Sequence, residues 1–389
     1  MKITGEWLTN PSTQTVCQAL EKAGYKALFV GGCVRNALLD VPVDDIDIAT
    51  DAPPETVIEI EKAAGFKVIP TGVEHGTVTV VAEGIPHEIT TFRHDVETDG
   101  RRAVVAYSDN VEDDARRRDF TMNALYADTT GTVIDPLGGL VDIVARRVRF
   151  IDSPSDRIRE DYLRTLRFFR FHAWYGEPES GLDPEGMAAI AQHLEGLDRL
   201  SRERVGAEMK KLLAAPDPAP AVAAMRATGA LTHVLPGSDD RALGPLVHLE
   251  SLHGIDPDWL RRLAVIGGED LNDRLRLSRK DADTLSLLRA GIESTDAPGR
   301  LGYFNGYERG RDILLLRAAL FETPLTDESL SQVLTGSLAH FPLKAADLMP
   351  QLSGPALGQR LKALENLWIE SRFSLSAKDL LSLPEDHAE

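Results

Sequence analysis

One short segment near the N-terminus constrains the fold more than any other: "LFVGGCVRNALLDVPVDDIDIAT", residues 28–50. A hydrophobic run leads into a glycine pair and an amphipathic stretch, and then come Asp45 and Asp47 with one apolar residue between them. This order predicts a strand, a glycine turn, a short helix and a second strand. Because side chains alternate along a strand, the two carboxylates share one face while Ile46 and Ile48 face the core.

Two carboxylates held this closely repel each other unless a cation lies between them, and such a pair can bind Mg²⁺ for phosphoryl chemistry. Taken alone, the pair is better explained as the exposed face of an acidic strand. The glycine turn changes this balance, because backbone N–H groups at Gly31 and Gly32 can approach a triphosphate, and Arg35 adds positive charge on the next helical turn. The combination predicts a nucleotide site.

The totals limit the class of protein. A chain of 389 residues is too long for one compact core, so more than one domain is expected. No apolar run reaches the roughly 18 residues of a membrane span, and the N-terminus lacks the apolar core of a signal peptide. Cys17 and Cys33 are the only cysteines, so we expect no disulfide framework and a reducing, cytoplasmic location.

The charge distribution is uneven. A net charge of −18 argues against general affinity for nucleic acid, because phosphate neutralisation needs Lys and Arg. Residues 115–170 nevertheless contain 11 Arg, no Lys and 8 acidic residues. Arg suits planar, bidentate contacts with phosphates and base edges. For any single Arg, a salt bridge on a helix surface remains the better explanation.

Hydrophobic periodicity divides the chain. The first 150 residues or so predict mixed helices and strands, and helical periods dominate from Ser153 nearly to the end. Residues 93–110 are polar and turn-rich and predict a long loop over the sheet. The stretch "RIREDYLRTLRFFRFHAW" predicts one amphipathic helix. The expected fold class is therefore α+β, with a small mixed-sheet head followed by an all-helical region.

Five blocks then resemble one known family. "GGCVRNALLDVPVDDIDIAT" resembles the signature of the class II tRNA nucleotidyltransferases (CCA-adding enzymes) and bacterial poly(A) polymerases, within the polymerase-β-like nucleotidyltransferase superfamily. The other blocks follow in the family's order: "RRRDFTMNAL" (116–125), "DPLGGLVDI" (135–143), "EDYLRTLRFFRF" (160–171) and "SRERVGAEMKKLL" (201–213). Together they span residues 28–213, which is over half of the chain.

The resemblance implies domains, an activity and partners. It implies a nucleotidyltransferase head at 1–145, a helical neck at 146–213 that reads the base, and a helical body and tail at 214–389 that bind tRNA. The implied reaction adds C, C and A to the tRNA 3′ end from CTP and ATP without a nucleic-acid template, with Mg²⁺ as cofactor. No membrane contact and no protein partner are inferred.

The resemblance also assigns residues in the head. Asp45 and Asp47 would hold the metals, and Gly31, Gly32 and Arg35 would hold the triphosphate. Glu88, on "HEITTF", is the best-placed third carboxylate by strand alternation, although an exposed strand Glu explains it equally well. The second block would contact ribose and phosphates, with Asn123 on the same helical face as Asp119 and with three residues at a helix start: Arg117, Arg118 and Asp119. The third block is predicted to be structural, with Asp142 bracing neighbouring Arg residues.

The fourth block is the most specific chemically. On one helix, Glu160 and Asp161 would lie four and three positions before Arg164 and face it. An Asp that accepts from an exocyclic amino group, beside an Arg that donates to a ring nitrogen, matches cytosine and adenine. Uracil and guanine present the reverse pattern and leave both groups mismatched. Glu160 would orient Arg164, and Arg167 is counted among the nucleotide-binding residues.

One departure and several alternatives remain open. Asn36 stands where the family usually has Asp, which removes a charge and predicts a changed contact to a local Arg or to the metal shell. The same blocks also serve a poly(A) polymerase, a CC-adding specialist or an A-adding specialist. More distant alternatives are a small-molecule nucleotidyltransferase and a catalytically inactive RNA-binding protein.

Overall fold

The structure, a computed structural model, describes residues 1–99, 102–349 and 351–384. The chain forms two compact units, Met1–Pro236 and Gly237–Glu389. All strands belong to the first unit, and the second is helical over its described residues. This agrees with the expected α+β class, while the finer boundaries at residues 145 and 213 stay predictions.

A mixed seven-stranded sheet forms the centre of the first unit. The strands of this unit are β1 (Leu28–Val30), β2 (Ile46–Thr50), β3 (Lys67–Gly72), β4 (Thr77–Ala82), β5 (Ile85–Thr91), β6 (Arg93–Asp99), β7 (Arg102–Tyr107), β8 (Tyr126–Ala127) and β9 (Val133–Ile134). The seven-stranded sheet has the order β3-β4-β5-β2-β1-β8-β9, and β6 and β7 form a separate pair. Strands β2 and β5 pair in parallel, and the remaining neighbours in this sheet are antiparallel.

The helices follow hydrophobic periodicity and local caps. In the first unit they are α1 (Glu6–Thr9), α2 (Pro11–Lys22), α3 (Gly32–Leu38), α4 (Pro54–Ala63), α5 (Val111–Arg116), α6 (Leu140–Val144), α7 (Pro154–Glu160), α8 (Leu163–Tyr175), α9 (Pro184–Gln192), α10 (Arg202–Leu213), α11 (Ala219–Thr228) and α12 (Ala230–Val234). In the second they are α13 (Leu243–Leu252), α14 (Trp259–Ile266), α15 (Leu271–Arg274), α16 (Arg279–Glu293), α17 (Pro298–Phe321), α18 (Asp327–Leu338), α19 (Gly354–Glu370) and α20 (Ala377–Leu381).

The core of the head lies between the sheet and the elements that follow it. Phe92, Ala115, Tyr126 and Ile151 are among the buried residues that pack together there. The strand pattern predicted from alternation is confirmed in β4, whose residues alternate between partly and fully buried. Burial of these side chains anchors β2, and with it the two Asp residues at its start.

Two secondary-structure predictions are wrong. Residues 93–110 do not form a long loop, because β6 and β7 pair as an antiparallel hairpin of their own; residues 100 and 101 lie outside the described residues. The stretch from Arg157 onward is not one helix, because Asp161 adopts an extended backbone (φ −151°, ψ 106°) and separates α7 from α8. Hydrophobic periodicity continues across this break, so periodicity did not reveal it.

Within the described ranges, no helix is both long and apolar enough to cross a membrane.

Candidate active site

The carboxylate face forms at the pairing of β2 with β5. Ile46 and Ile48 are buried, whereas Asp45 is exposed and Asp47 is partly buried, as alternation predicts. The parallel register pairs Asp47 with Glu88, so the three acidic side chains lie at one surface of the sheet. The third carboxylate, Glu88, therefore reaches this surface through the pairing of two strands that are far apart in the sequence.

Mutual repulsion is visible in the electrostatics of Asp47. Burial and the charges of Glu88 and Asp45 together raise the pKa of Asp47 to about 6, against the opposing effect of Arg118 and Arg35. Ionisation of Asp47 is therefore less favourable than that of an ordinary Asp, and a bound cation would favour it. Oxygen donors of this type and charge suit a hard divalent cation such as Mg²⁺.

The same cluster does not form a complete metal cage. Among the described residues, no group of three or more acidic, His or Cys side chains converges as a metal site by itself. Mg²⁺ characteristically binds one or two carboxylates and completes its shell with water and substrate phosphates. The donor set therefore fits a cation that arrives with a phosphate substrate.

The glycine turn borders this face and is lined by guanidinium groups. Gly31 has a φ of +70°, which favours glycine, and a Cβ there would lie 3.2 Å from Nη1 of Arg118. A Cβ at Gly32 would lie 3.9 Å from Nη2 of Arg35. Two cations therefore approach the turn from which α3 starts, and the first N–H groups of a helix have no partner within it.

The predicted helix start at Arg117, Arg118 and Asp119 is wrong, because these residues follow the end of α5. Arg117 and Arg118 are held by Asp114, a buried residue that the sequence analysis did not predict. Its carboxylate accepts from Arg117 Nε (2.8 Å), Arg118 Nη2 (3.0 Å) and the hydroxyl of Tyr126 (2.6 Å). Burial alone would raise the pKa of Asp114, but the two guanidiniums outweigh it and hold the pKa at about 2.

Asp114 carried a usable signal in the sequence. It stands three and four residues before Arg117 and Arg118, the spacing at which opposite charges meet on a helix. A salt-bridged Arg was the expected reading of any single Arg in this region, and for these two it is confirmed. Asp114 therefore orients two of the predicted site residues, Arg117 and Arg118.

A continuous hydrogen-bond chain joins three of the predicted blocks. Arg35 Nη1 donates to Asn123 Oδ1 (2.6 Å), and Asn123 Nδ2 donates to Asp119 Oδ1 (2.9 Å). Arg167 Nε in turn donates to the other oxygen of Asp119 (2.7 Å). The predicted contact between Asp119 and Asn123 exists, although a short 3-10 helix at Thr121–Asn123 provides it and not a common α-helix.

The charge of Asp119 is stabilised by this chain. Burial would raise its pKa, but Arg167 and the hydrogen bond from Asn123 lower it to about 2. Asp119 is therefore a firmly ionised anchor, in contrast to Asp47. The third block is structural as predicted, because Asp142 is buried and pairs with Arg147 and Arg149.

Asp161 lies at the helix break and Arg164 lies in the first turn of α8. The backbone N–H of Arg164 donates to the carbonyl of Asp161 (2.9 Å), and no hydrogen bond joins their side chains among the described contacts. Arg164 Nη1 donates to Glu160 and to the carbonyl of Arg157 (3.1 Å), and Nη2 donates to the carbonyl of Arg117 (2.9 Å). The expected pairing of Glu160 with Arg164 is thus confirmed. The expected placement of all three residues on one helix is wrong.

Asp161 has partners that the sequence reading did not name. Its Oδ1 accepts from the N–H of Leu163 (3.1 Å), and its Oδ2 accepts from Arg204 Nη2 (2.6 Å). Arg204 belongs to the fifth block, in α10. The Asp161 side chain thus satisfies the N–H of Leu163, the first residue of α8, which has no partner within the helix.

Two family models and several known proteins match this chain. Residues 27–149 match the family model for the poly A polymerase head domain, and residues 181–241 match the model described as a probable RNA and SrmB-binding site of polymerase A. The mitochondrial CCA tRNA nucleotidyltransferase 1 of Danio rerio is 30% identical over 383 residues, which covers 94% of this chain and 89% of that protein.

Two further relatives are bacterial. The CCA-adding enzyme of Streptococcus pyogenes serotype M4 (strain MGAS10750) is 41% identical over 232 residues, so the match covers 59% of this chain and 56% of that protein. The crystal structure of the Bacillus stearothermophilus CCA-adding enzyme in complex with CTP superposes with a TM-score of 0.70 at 30% identity, covering 92% of each chain.

Proposed function

Because this chain belongs to the family of CCA-adding tRNA nucleotidyltransferases, we propose that it adds C, C and A to the 3′ end of tRNA from CTP and ATP. One observation in the structure carries this proposal. Three carboxylates share a sheet surface in the same compact unit as a glycine turn lined by two guanidiniums. Acidic residues for metal and cationic groups for a triphosphate are the two parts that template-independent nucleotidyl transfer needs.

In the reaction, the 3′-hydroxyl oxygen of tRNA forms a bond to the α-phosphorus of the nucleotide. The bond from that phosphorus to the bridging oxygen of the β-phosphate breaks, pyrophosphate leaves with the electron pair, and the hydroxyl proton is lost to solvent. Mg²⁺ at Asp45 and Asp47 would supply charge neutralisation at the phosphates when bound. Glu88 lies beside Asp47 and is the third carboxylate available there.

The triphosphate is bound in this proposal by Gly31, Gly32, Arg35 and Arg118. The glycines let the backbone approach the phosphates. A Cβ at Gly31 would occupy the space between the backbone and Nη1 of Arg118, 3.2 Å from that nitrogen, and this space is where a phosphate would bind. The two guanidiniums provide charge-assisted hydrogen bonds to phosphate oxygens. Arg117, Asp119, Asn123 and Arg167 position these groups and the ribose, since they form the linked network around them.

Base choice is assigned to Asp161 and Arg164. A guanidinium has five N–H donors, and the described contacts of Arg164 use three of them, which leaves two for a ring nitrogen. Each oxygen of Asp161 has one partner and keeps a lone pair for an amino group. Cytosine and adenine fit this pair, and uracil and guanine do not.

The protein is proposed to work in a reducing compartment such as the cytoplasm, because Cys17 and Cys33 are both free and buried. The Danio rerio relative is named as mitochondrial, so fractionation of the source cells is the corresponding measurement.

The test uses purified protein, Mg²⁺ and three tRNA transcripts that end before CCA, after C and after CC. Each is incubated with CTP, ATP or both, and products are sized on a denaturing gel. Completion of CCA on the shortest transcript, with no further addition, supports the proposal. Termination after CC indicates a CC-adding specialist, and addition only to the CC-ended transcript indicates an A-adding enzyme.

Poly(A) polymerase is the second candidate, because the match over residues 27–149 is to a poly A polymerase head domain. Long A tails on any of the three transcripts would favour it. An absence of addition to every transcript would contradict both functions.

A further inference from the structure

The guanidinium of Arg35 is buried but has only neutral partners. The residue is 7% exposed. Its Nη1 donates to Asn123 (2.6 Å), its Nη2 donates to the hydroxyl of Tyr175 (2.9 Å), and its Nε and Nη2 both donate to Oδ1 of Asn36 (3.1 and 2.8 Å). The ring of Tyr175 also lies 4.2 Å from Cζ. In the part of the chain that the structure describes, no carboxylate forms an ion pair with Arg35.

A buried cation without a counterion is unfavourable and attracts an anion. Burial lowers the pKa of Arg35, while the hydroxyl of Tyr175 and the more distant Asp119 oppose that effect. Three amide and hydroxyl oxygens satisfy four of its five N–H groups but do not neutralise its charge. The full positive charge is therefore retained at the glycine turn, beside Gly32.

Asn36 connects this cation to the segment that leads to the acidic face. Its Nδ2 donates to the carbonyl of Pro42 (2.7 Å), on the opposite side of the amide from Arg35. Its backbone carbonyl accepts from the N–H groups of Leu39 (3.1 Å) and Val41 (2.9 Å). One side chain thus bonds both Arg35 and the connection that runs from α3 to Asp45.

The amide is chemically suited to both contacts. Oδ1 accepts from Arg35 while Nδ2 donates to a carbonyl, so the neighbours determine the orientation of the amide. Aspartate could accept from Arg35 but could not donate to Pro42, and two acceptor oxygens would then face each other. Aspartate would also neutralise the guanidinium that the present arrangement leaves charged.

We propose that Asn36 is a positioning residue of the triphosphate site, which orients Arg35 without neutralising it and tethers the connection that precedes Asp45. The inference rests on the proposed function, because it takes the phosphates of CTP and ATP to be the anion that Arg35 attracts. It gives a role to the position at which this chain departs from its family's Asp.

The first test is Asn36→Asp, a substitution of nearly the same size that adds one negative charge. Binding of inorganic triphosphate is measured by calorimetry in EDTA, so that neither the base nor the metal contributes. We expect the dissociation constant to rise by about fivefold to twentyfold, because a carboxylate would then compete with the phosphates for Arg35. Asn272→Asp is the matched control, since Asn272 is exposed and lies in the other compact unit.

The second variant separates the added charge from the lost contacts. Asn36→Ala removes the bonds to Arg35 and to Pro42 without adding a negative charge. We expect triphosphate affinity to fall by only about twofold to threefold, because Arg35 keeps its charge and its bonds to Asn123 and Tyr175. We expect the turnover of CCA addition to fall by about tenfold at saturating CTP. The inference is overturned if Asn36→Asp binds triphosphate as tightly as wild type, or if Asn36→Ala weakens binding as much as Asn36→Asp does.

Arg35→Gln distinguishes this inference from the proposed function. If Arg35→Gln weakens triphosphate binding and Asn36→Asp does not, the role of Asn36 fails while the triphosphate site stands. If Arg35→Gln binds as well as wild type, the assignment of Arg35 and the role of Asn36 both fail, whereas the proposed function fails only if the wild-type protein adds no nucleotide to the three tRNA transcripts.

Discussion

Asp47 and Asp119 are the same type of residue, but their surroundings shift their pKa values in opposite directions. Repulsion from Glu88 and Asp45 adds to burial and raises the pKa of Asp47 to about 6. Asp119 is more deeply enclosed, yet Arg167 and Asn123 hold its pKa at about 2. The carboxylate of Asp47 therefore suits a bound cation, whereas the ionised carboxylate of Asp119 already has Arg167 as its counterion.

Asp47→Asn is expected to reduce CCA addition by about a thousandfold or more, because a metal-binding carboxylate is lost. Its stability should match or exceed that of wild type at neutral pH, since the repulsion within the acidic face is relieved. Turnover and the urea midpoint are measured together, with Asp44→Asn as the matched control. Turnover near the wild-type value would contradict the assignment of Asp47.

Glu61 makes a second prediction at the residue scale. It is fully buried in α4, and neither carboxylate oxygen has a hydrogen-bond partner among the residues that the structure describes. Burial raises its pKa from 4.5 to about 8. Because the folded state holds the proton more tightly than the unfolded state, the stability that Glu61 contributes is fully present below pH 4.5 and is lost as the pH rises towards 8.

The variant Glu61→Gln cannot ionise and should not show this loss. We expect its free energy of unfolding, relative to wild type, to rise between pH 4.5 and 8 and then to level off. The slope is at most about 1.4 kcal/mol per pH unit. Urea unfolding across this range is the measurement, and parallel profiles for the two proteins would refute the burial of an ionisable Glu61.

At the scale of elements, the break between α7 and α8 positions the two residues that we propose to read the base. Asp161 lies between the helices and is bonded to Arg204, whereas Arg164 lies in α8 and is bonded to the carbonyl of Arg117. Tyr162, within the break, packs directly on Gly196 in the 3-10 helix Leu194–Arg199. The break is therefore held by contacts with three other segments.

Gly196→Ala should weaken this packing, because the new Cβ would lie only 1.8 Å from the ring of Tyr162. Overpacking of this kind costs about 1–3 kcal/mol of stability, measured as a lower urea midpoint. The discrimination of CTP over UTP should fall with it, since Asp161 is adjacent to the displaced ring.

The matched control for this substitution is Gly358→Ala in α19, where a Cβ meets nothing within 4 Å. Replacing a helical glycine in open space should leave stability unchanged or raise it by up to about 1 kcal/mol. Equal behaviour of the two variants would show that Tyr162 moves freely away from Gly196.

At the scale of the whole molecule, the chemistry is concentrated in one of two compact units. Every residue assigned to metal, triphosphate or base lies in Met1–Pro236. The second unit has its own apolar cluster, which includes Leu364, Trp368 and Leu380, and a buried charge network in which Arg261 pairs with Glu250 and Asp312. Separate cores favour separate unfolding.

Calorimetry of the full chain is therefore expected to show two unfolding transitions. CTP should raise the midpoint temperature of only one of them, that of Met1–Pro236. A ligand at one hundred times its dissociation constant stabilises the unit that binds it by about 2.7 kcal/mol. Arg35→Gln is the control, because it should reduce the shift without merging the transitions. A single transition, or an equal shift of both, would contradict the separation.

The sequence by itself determined whatever depends on local periodicity. The alternation of a strand put Asp45 and Asp47 on one face, and the turn at Gly31 required a backbone that glycine adopts most readily. The order of the five blocks was enough to identify the family and the α+β class. These features involve neighbours within a few residues, so a linear pattern specifies them.

Only the tertiary structure decided the partners. Parallel pairing placed Glu88 beside Asp47, Asp114 was found to hold Arg117 and Arg118, and a bond to Arg204 accompanied the unpredicted helix break at Asp161. Strand register and long-range ion pairs depend on which of many compatible groups are brought together by burial of the core. Hydrophobic periodicity along the chain does not indicate which strands pair or which charged groups meet.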